Sequence, residues 1–109
     1  EVDVQAIGDQ TISMVEKAME AYAAQDTDAC FEINDSDDEL DAMCEHASQT
    51  VVRDLIESEL DDGTEVETVL EDVSRLLLTV RDLERIGDHA VNIAARTLYM
   101  VENDDELIY

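Results

Sequence analysis

Four carboxylates stand at a spacing that could bind a metal ion. Asp37 and Asp41 lie four residues apart in the sequence, and so do Glu84 and Asp88. In an α-helix this spacing stacks two side chains one turn above the other on the same side. Carboxylate oxygens are ligands of hard and borderline cations. The two pairs therefore form a candidate site for a divalent or trivalent cation: magnesium, manganese, iron or zinc.

The helical wheel places these carboxylates close to the apolar faces of their helices. At about 100° per residue, with Val73 at the centre of the apolar stripe, Glu84 falls at about 20° and Asp88 at about 60°. The earlier pair lies on one shoulder of its own stripe, at about 60° and 100° from Leu40. An ionised carboxylate beside a core is costly unless it is paired or bound to metal. A multivalent cation would remove that conflict.

An interpretation without metal is also open. The chain holds 30 Asp and Glu residues, so chance alone produces many carboxylate pairs at this spacing. A wide bundle can also leave the edge of its apolar stripe in contact with water. Glu84 favours the metal interpretation, because it lies at the centre of the stripe rather than on its rim.

The elements that must position these residues are helices. Apolar residues recur at three- and four-residue steps in three stretches, at about residues 4–25, 28–60 and 65–101. The third stripe runs from Val66 to Leu98. Short loops between long helices favour an antiparallel, up-down-up arrangement. The predicted fold is an all-α three-helix bundle, a single domain over residues 1–109.

Local signals predict the helix boundaries. Asp26-Thr27-Asp28 is typical of a turn and an N-terminal cap, and Asn34-Asp35-Ser36 could bend or break the second helix. Gly63 suits a helix C-terminus, and Thr64 with Glu67 resembles a capping box for the third helix. The acidic tail 102–109 is expected to fray.

The charge balance of the chain excludes some classes of function and predicts a salt-rich environment. There are 30 acidic and 6 basic residues, for a net charge of -24, and Lys17 is the only lysine. Self-repulsion of this size is tolerable where salt screens it, which predicts a halophilic, archaeal cytoplasm. Phosphate contacts need lysine and arginine, so nucleic-acid binding is excluded. No apolar run approaches the ~18 residues that span a bilayer, so no membrane insertion is expected.

The two cysteines are predicted to be reduced. Cys30 and Cys44 fall in one predicted helix, where fourteen residues separate them by about 21 Å. A disulfide requires Cα atoms within about 7 Å. Free, partly buried thiols agree with a cytoplasmic location.

One segment of the third predicted helix carries a family resemblance. Residues Arg81 to Ala94, RDLERIGDHAVNIA, closely resemble the last-helix motif of the PhoU family, which regulates phosphate uptake. Residues Asp37 to Asp41, DDELD, resemble that family's other acidic motif, on the preceding helix. The resemblance extends over essentially the whole chain, including the order and lengths of the helices and the loop near Gly63.

The resemblance implies a fold and a ligand set. PhoU proteins consist of two tandem three-helix bundles, and their paired acidic motifs bind metal ions, often as multinuclear clusters. Carried over to this chain, the ligands would be Asp37, Asp41, Glu84 and Asp88. Where many members continue the last motif with an acid, this chain has Ala95, which leaves the number of metal ions open. Residues 1–8 resemble the junction after a first repeat, so the chain is expected to be the C-terminal half of a two-repeat protein.

The resemblance also implies a role. Family members are regulators rather than enzymes and restrain phosphate import. The implied partners are the ATPase of the phosphate ABC transporter and a sensor kinase or transcription regulator. A homo-oligomer, such as a dimer, is expected.

Two alternative classes of protein also have helical folds. Di-iron oxidases are helical bundles that carry a Glu-x-x-His motif on two helices. Here Met43 precedes His46 by three residues and Ile86 precedes His89, so that motif is absent. The alternative that stays open is a metal-free interaction or dimerisation module of a transcription or ion-transport regulator.

Overall fold

The computed structural model describes residues 2–58 and 66–107, which form three helices and no strand. Helix α1 spans Val4–Ala24, α2 spans Thr27–Ser58 and α3 spans Val66–Leu107. Each helix packs against the other two, in a rod of 72 × 18 × 15 Å. The predicted all-α bundle is confirmed.

Consecutive helices run antiparallel to each other. Early residues of α1 lie beside late residues of α2: Ile7 lines a groove with Ala47, whereas Gln10 bonds to Ser36. In the same way, Leu40 of α2 meets Gly87 of α3. Further along α2, Val51 lines a groove with residues of α3 that precede Val80. The predicted up-down-up course is therefore correct.

The turn between α1 and α2 has the predicted capping chemistry. The amide of Ala29 donates to Asp26 Oδ1 at 3.1 Å, which makes Asp26 the cap of α2. Gln25 ends α1 in the left-handed conformation, at φ 55° and ψ 40°. At the other end of α1, the amide of Ala6 donates to Asp3 Oδ1 at 2.9 Å. Aspartate side chains thus accept hydrogen bonds from backbone amides at the N-termini of both α1 and α2.

Helix α2 passes through Asn34-Asp35-Ser36 without a break, although the sequence allowed a bend or a break there. The Ser36 hydroxyl donates to the carbonyl oxygen of Glu32 at 3.3 Å, which satisfies it within the helix. Gln10 Nε2 donates to the carbonyl oxygen of Ser36 at 3.1 Å. A side chain of α1 thereby holds this stretch of α2.

Helix α3 extends to Leu107, so the predicted end of this helix at about Val101 is wrong, whereas the expected fraying of the tail stays a prediction. No proline occurs in the chain and no glycine follows Gly87, so nothing in the covalent chain stops the helix. The predicted C-cap at Gly63 and the capping box that starts at Thr64 lie outside the described residues.

The core occupies the middle of the rod, where α1 flanks the other two helices. Its largest fully buried side chains include Met14, Ile33 and Leu40. In α3 the buried residues of the described chain begin at Val80. Ahead of it Val66 and Leu70, both in the predicted stripe, are 57% and 46% exposed. With 21 residues against 42, α1 is too short to cover that end.

Among the described residues, each helix is too polar or too short to cross a membrane.

Candidate metal centre

The site forms beside a close contact between α2 and α3, at Gly87. A Cβ atom added to Gly87 would overlap Leu40 Cδ2 and would lie 3.8 Å from Asp37 Oδ1. Leu40 is fully buried in this contact, with 0% of its surface exposed. The absence of a side chain at Gly87 therefore lets Asp37 lie against the backbone of α3, next to Asp88.

Asp37 carries a buried oxygen without a partner. Its Oδ1 atom is excluded from solvent and makes no hydrogen bond. Burial raises the pKa of Asp37, and repulsion from Asp41, Asp88 and Asp38 raises it further. A desolvated carboxylate oxygen without a donor is costly, and a cation or a proton at this atom would compensate that cost.

Glu84 is half-buried on the facing helix. Burial is the main cause that raises the pKa of Glu84. A hydrogen bond with Asp41 and repulsion from Asp41, Asp88 and Asp37 raise it further. Asp37 and Glu84 therefore each lie near enough to other acids of the predicted set, from both helices, to be repelled by them.

The exposure of the four acids is unequal. Asp41 and Asp88 are exposed, whereas Asp37 and Glu84 are half-buried. The helical wheel placed Asp37 on the shoulder of its stripe, and its half-buried position agrees. Glu84 was predicted at the centre of its stripe but is only half-buried, because the buried face of α3 runs through Gly87. Asp88 and Asp41, predicted on the edge and on the shoulder of their stripes, are exposed.

Cys44 lies within reach of all four acids. Burial, followed by repulsion from Glu84, Asp41, Asp37 and Asp88, raises the pKa of Cys44 to about 11. The thiol is therefore protonated near neutral pH, where a thiol is a poor metal ligand. The donor set at this place consists of oxygen atoms. Both cysteines are free and buried, as the sequence predicted.

A cleft of about 290 Å³ opens beside the acids, between α2 and α3. It is lined by Asp41, Cys44, Glu45, Ser48, Leu77, Val80, Arg81 and Glu84. Two of the four acids are thus reachable from solvent through it. The ion pair found among the described residues, Arg75 Nη1 to Asp72 Oδ1 at 3.7 Å, joins two exposed side chains and does not neutralise the acids.

The donor chemistry fits a hard cation, because oxygen ligands and excess negative charge favour one. The unpartnered Asp37 Oδ1 supports this fit. As the side chains stand, however, no three His, Cys, Asp or Glu residues within the described ranges are placed to hold a metal ion together. His46 and His89 are exposed.

Gly87 was not among the residues predicted to form the site, although it lies within the family motif. A signal was present in the sequence, because a glycine inside a long helix costs about 1 kcal/mol relative to alanine. Leu40, predicted at the centre of the facing stripe, was a second signal. A glycine opposite a large apolar residue indicates a close helix crossing.

Comparison with known proteins gives a consistent result. The family model described as PhoU domain matches residues 4–97. The phosphate-specific transport system accessory protein PhoU homolog of Pseudomonas aeruginosa is 34% identical over 104 residues, which are 95% of this chain and 40% of that protein.

Two further relatives come from a bacterium and an archaeon. The phosphate-specific transport system accessory protein PhoU of Escherichia coli is 30% identical over 104 residues, 95% of this chain and 40% of that protein. Homolog 1 from Methanothermobacter thermautotrophicus is 30% identical over 99 residues, 91% of this chain and 42% of that protein. The chain spans about two fifths of the length of these relatives. No solved structure matches it significantly.

Proposed function

The chain belongs to the PhoU domain family, and on that premise we propose that it restrains phosphate uptake as an accessory of a phosphate transport system. Its relatives are named for that system. The role is regulatory rather than catalytic, in the cytoplasm, with the transporter ATPase and a sensor kinase or transcription regulator as partners. The chain would be the C-terminal repeat of the protein and would act as a homo-oligomer.

Within this role, we propose that the four acids bind a hard divalent or trivalent cation. Asp37 and Asp41 would supply ligands from α2, and Glu84 and Asp88 from α3. The cation would offset the negative charge of the four acids, which the ion pair found among the described residues does not reach. The observation that carries this proposal is the buried, unpartnered Asp37 Oδ1 on the helix that faces Glu84 and Asp88.

The test of cation binding is the variant Glu84→Gln with Asp88→Asn, which preserves size and removes two charges. A ligand that binds only the folded state stabilises it by RT ln(1 + [L]/Kd), about 2.7 kcal/mol at a hundred times Kd. We expect Mn²⁺ to raise the melting temperature of the wild-type protein and to have little effect on the variant. Calorimetry with and without Mn²⁺ measures both.

A matched control removes two charges elsewhere on α3. Glu71 and Asp82 are exposed, and Glu71→Gln with Asp82→Asn should leave the response to Mn²⁺ intact. If Glu84→Gln with Asp88→Asn is more stable than wild type both with and without Mn²⁺, these acids only repel one another and the metal proposal is wrong.

A metal-free interaction module is the second candidate, and a specific observation favours it. Within the described chain, no three donors are placed to hold a metal ion. The interaction of Glu84 with Asp41 raises the pKa of Glu84, so a proton on Glu84 would take the place of a cation. Elemental analysis of purified protein separates the two candidates, since this one predicts no bound metal.

The transport role has its own test in the organism that carries the chain. Deletion of the gene should raise the uptake of labelled phosphate by cells grown with ample phosphate, because a restraint has been removed. Re-expression of the wild-type protein should lower uptake again. Unchanged uptake after deletion would contradict the transport role without bearing on the metal site.

A further inference from the structure

Two glycines lie inside described helices, and their surroundings differ. At Gly8 in α1, an added Cβ atom would meet nothing within 4 Å. At Gly87 in α3, the same atom would overlap Leu40 Cδ2, with Leu40 Cγ at 3.7 Å and Asp37 Oδ1 at 3.8 Å. Any side chain at Gly87 would therefore displace Leu40 or separate α3 from α2.

The contact between Gly87 and Leu40 stands in the same relation to both carboxylate pairs. Leu40 follows Asp37 by three residues and precedes Asp41 by one. Gly87 follows Glu84 by three residues and precedes Asp88 by one. Each pair of acids therefore straddles one half of the contact along its helix. A change in the helix separation at this point moves both pairs relative to each other.

We propose that Gly87 is a positioning residue, which holds α2 and α3 close enough for acids of both helices to share one cation. This inference rests on the proposed metal site and adds to it the residue that determines its span. Gly87 has no donor side chain and acts through Leu40 and Asp37. Groups outside the first coordination shell commonly change metal affinity by about 10- to 100-fold when they are mutated.

The experiment compares Mn²⁺ affinity among variants of the full chain, with free Mn²⁺ followed by electron paramagnetic resonance. Gly87→Ala is expected to weaken binding by about tenfold or more. Gly8→Ala makes the same chemical change in open space and should leave the affinity unchanged. Circular dichroism fixes a temperature at which every variant is folded.

A size exchange tests whether the added methyl group acts through Leu40. Leu40→Val removes about as much volume as Gly87→Ala adds. The double variant should therefore bind Mn²⁺ within about threefold of Leu40→Val alone, since volume-conserving exchanges are tolerated best. A loss caused only by general destabilisation would not be recovered in this way, because Leu40→Val itself removes buried contacts.

The outcomes separate this inference from the metal site itself. Wild-type protein that binds no Mn²⁺ overturns the proposed site. Wild-type binding with equal affinity in Gly87→Ala overturns the positioning role alone. If Gly87→Ala does not fold, Leu40→Phe crowds the same contact from α2, and unchanged affinity in that variant overturns the positioning role.

Discussion

The surroundings of Asp37 and Glu84 in the folded protein favour the protonated form of each carboxyl group. Burial is the largest cause that raises the pKa of each group, and neighbouring acids add to it. In the unfolded chain such groups titrate near 3.9 for Asp and 4.3 for Glu. Above those values the folded protein therefore binds more protons than the unfolded chain. By linkage its stability falls as the pH rises.

The metal-free protein should consequently become more stable as the pH falls from neutral through the raised pKa values of Asp37 and Glu84. This gain should be complete near the ordinary pKa values, about 4. Replacing both residues, by Asp37→Asn and Glu84→Gln, should flatten the slope of unfolding free energy against pH. Urea denaturation at a series of pH values measures that slope.

The total charge of -24 also makes stability depend on pH, so a matched control is needed. Glu71→Gln with Asp82→Asn removes the same number of charges from exposed positions. Equal slopes for the two double variants would contradict a special role of the buried pair.

Cys44 offers a second measurement at the residue scale. With its pKa raised to about 11, about one Cys44 thiol in a thousand is ionised at pH 8. Burial and low ionisation together should slow native labelling by a disulfide reagent about a hundredfold relative to the unfolded chain. Two thiols per chain should react after denaturation without reductant. Fewer than two in a monomer would contradict the free state of the cysteines.

At the scale of the helices, the junction of α1 and α2 contains a backbone conformation that a substitution could make less costly. Gln25 is the non-glycine residue with positive φ in the described chain, at 55°. The left-handed region costs a residue with a Cβ atom about 1–2 kcal/mol, and glycine avoids most of this cost. Gln25→Gly should therefore raise the unfolding free energy by about 0.5–1 kcal/mol, as measured by urea denaturation.

A second substitution at the same turn, with the opposite expected effect on the unfolding free energy, provides the control. Asp26 caps α2 through the amide of Ala29, and Asp26→Ala should lower the unfolding free energy by about 1 kcal/mol. If Gln25→Gly lowers stability as well, the left-handed conformation does not dominate the energetics of this turn.

Periodicity in the sequence was sufficient for the three helices, because a 3.6-residue repeat reports which side chains face the core. It located Glu84 on the core side of α3 but too near the centre of the stripe, since Glu84 is half-buried. It could not report Gly87, since a helical wheel contains no distance between helices. It also could not report the end of α3. The tail residues are acidic and lack a capping signal, yet their backbone remains helical to Leu107.

The family motif added what periodicity could not supply. A carboxylate on a stripe is consistent both with a wet edge and with a ligand. The resemblance of residues Arg81 to Ala94 to the family motif was the reason to interpret these carboxylates as metal ligands. The proximity of the acids on α2 and α3 became visible only in the folded chain, because it depends on antiparallel packing at the level of Leu40 and Gly87.

At the scale of the whole molecule, charge sets the conditions for folding. The net charge of -24 is spread over a rod only 15–18 Å thick. At 0.1 M salt the screening length is about 10 Å, whereas at 1 M it is about 3 Å. Repulsion therefore acts across most of the rod at low salt and only between neighbours at high salt.

The helical content and melting temperature should accordingly rise with salt. Circular dichroism during dilution from about 1 M to 0.1 M KCl should show loss of helix. Potassium glutamate at equal ionic strength controls for effects specific to chloride. Full helicity with an unchanged melting temperature at 0.1 M would contradict adaptation to a salt-rich cytoplasm.

The unequal lengths of α1 and α3 have a consequence for local opening. Residues 66–79 of α3 include no buried side chain, whereas Val80, Gly87, Ala90, Ala94 and Thr97 are buried. Amide hydrogens in the first stretch should exchange with deuterium through local fraying, and those in the second only through global unfolding. Exchange rates along one continuous helix should therefore change steeply near Val80. Glu84 and Asp88 lie in the slow half, so the backbone beneath the acids keeps its shape while the far end of α3 opens and closes.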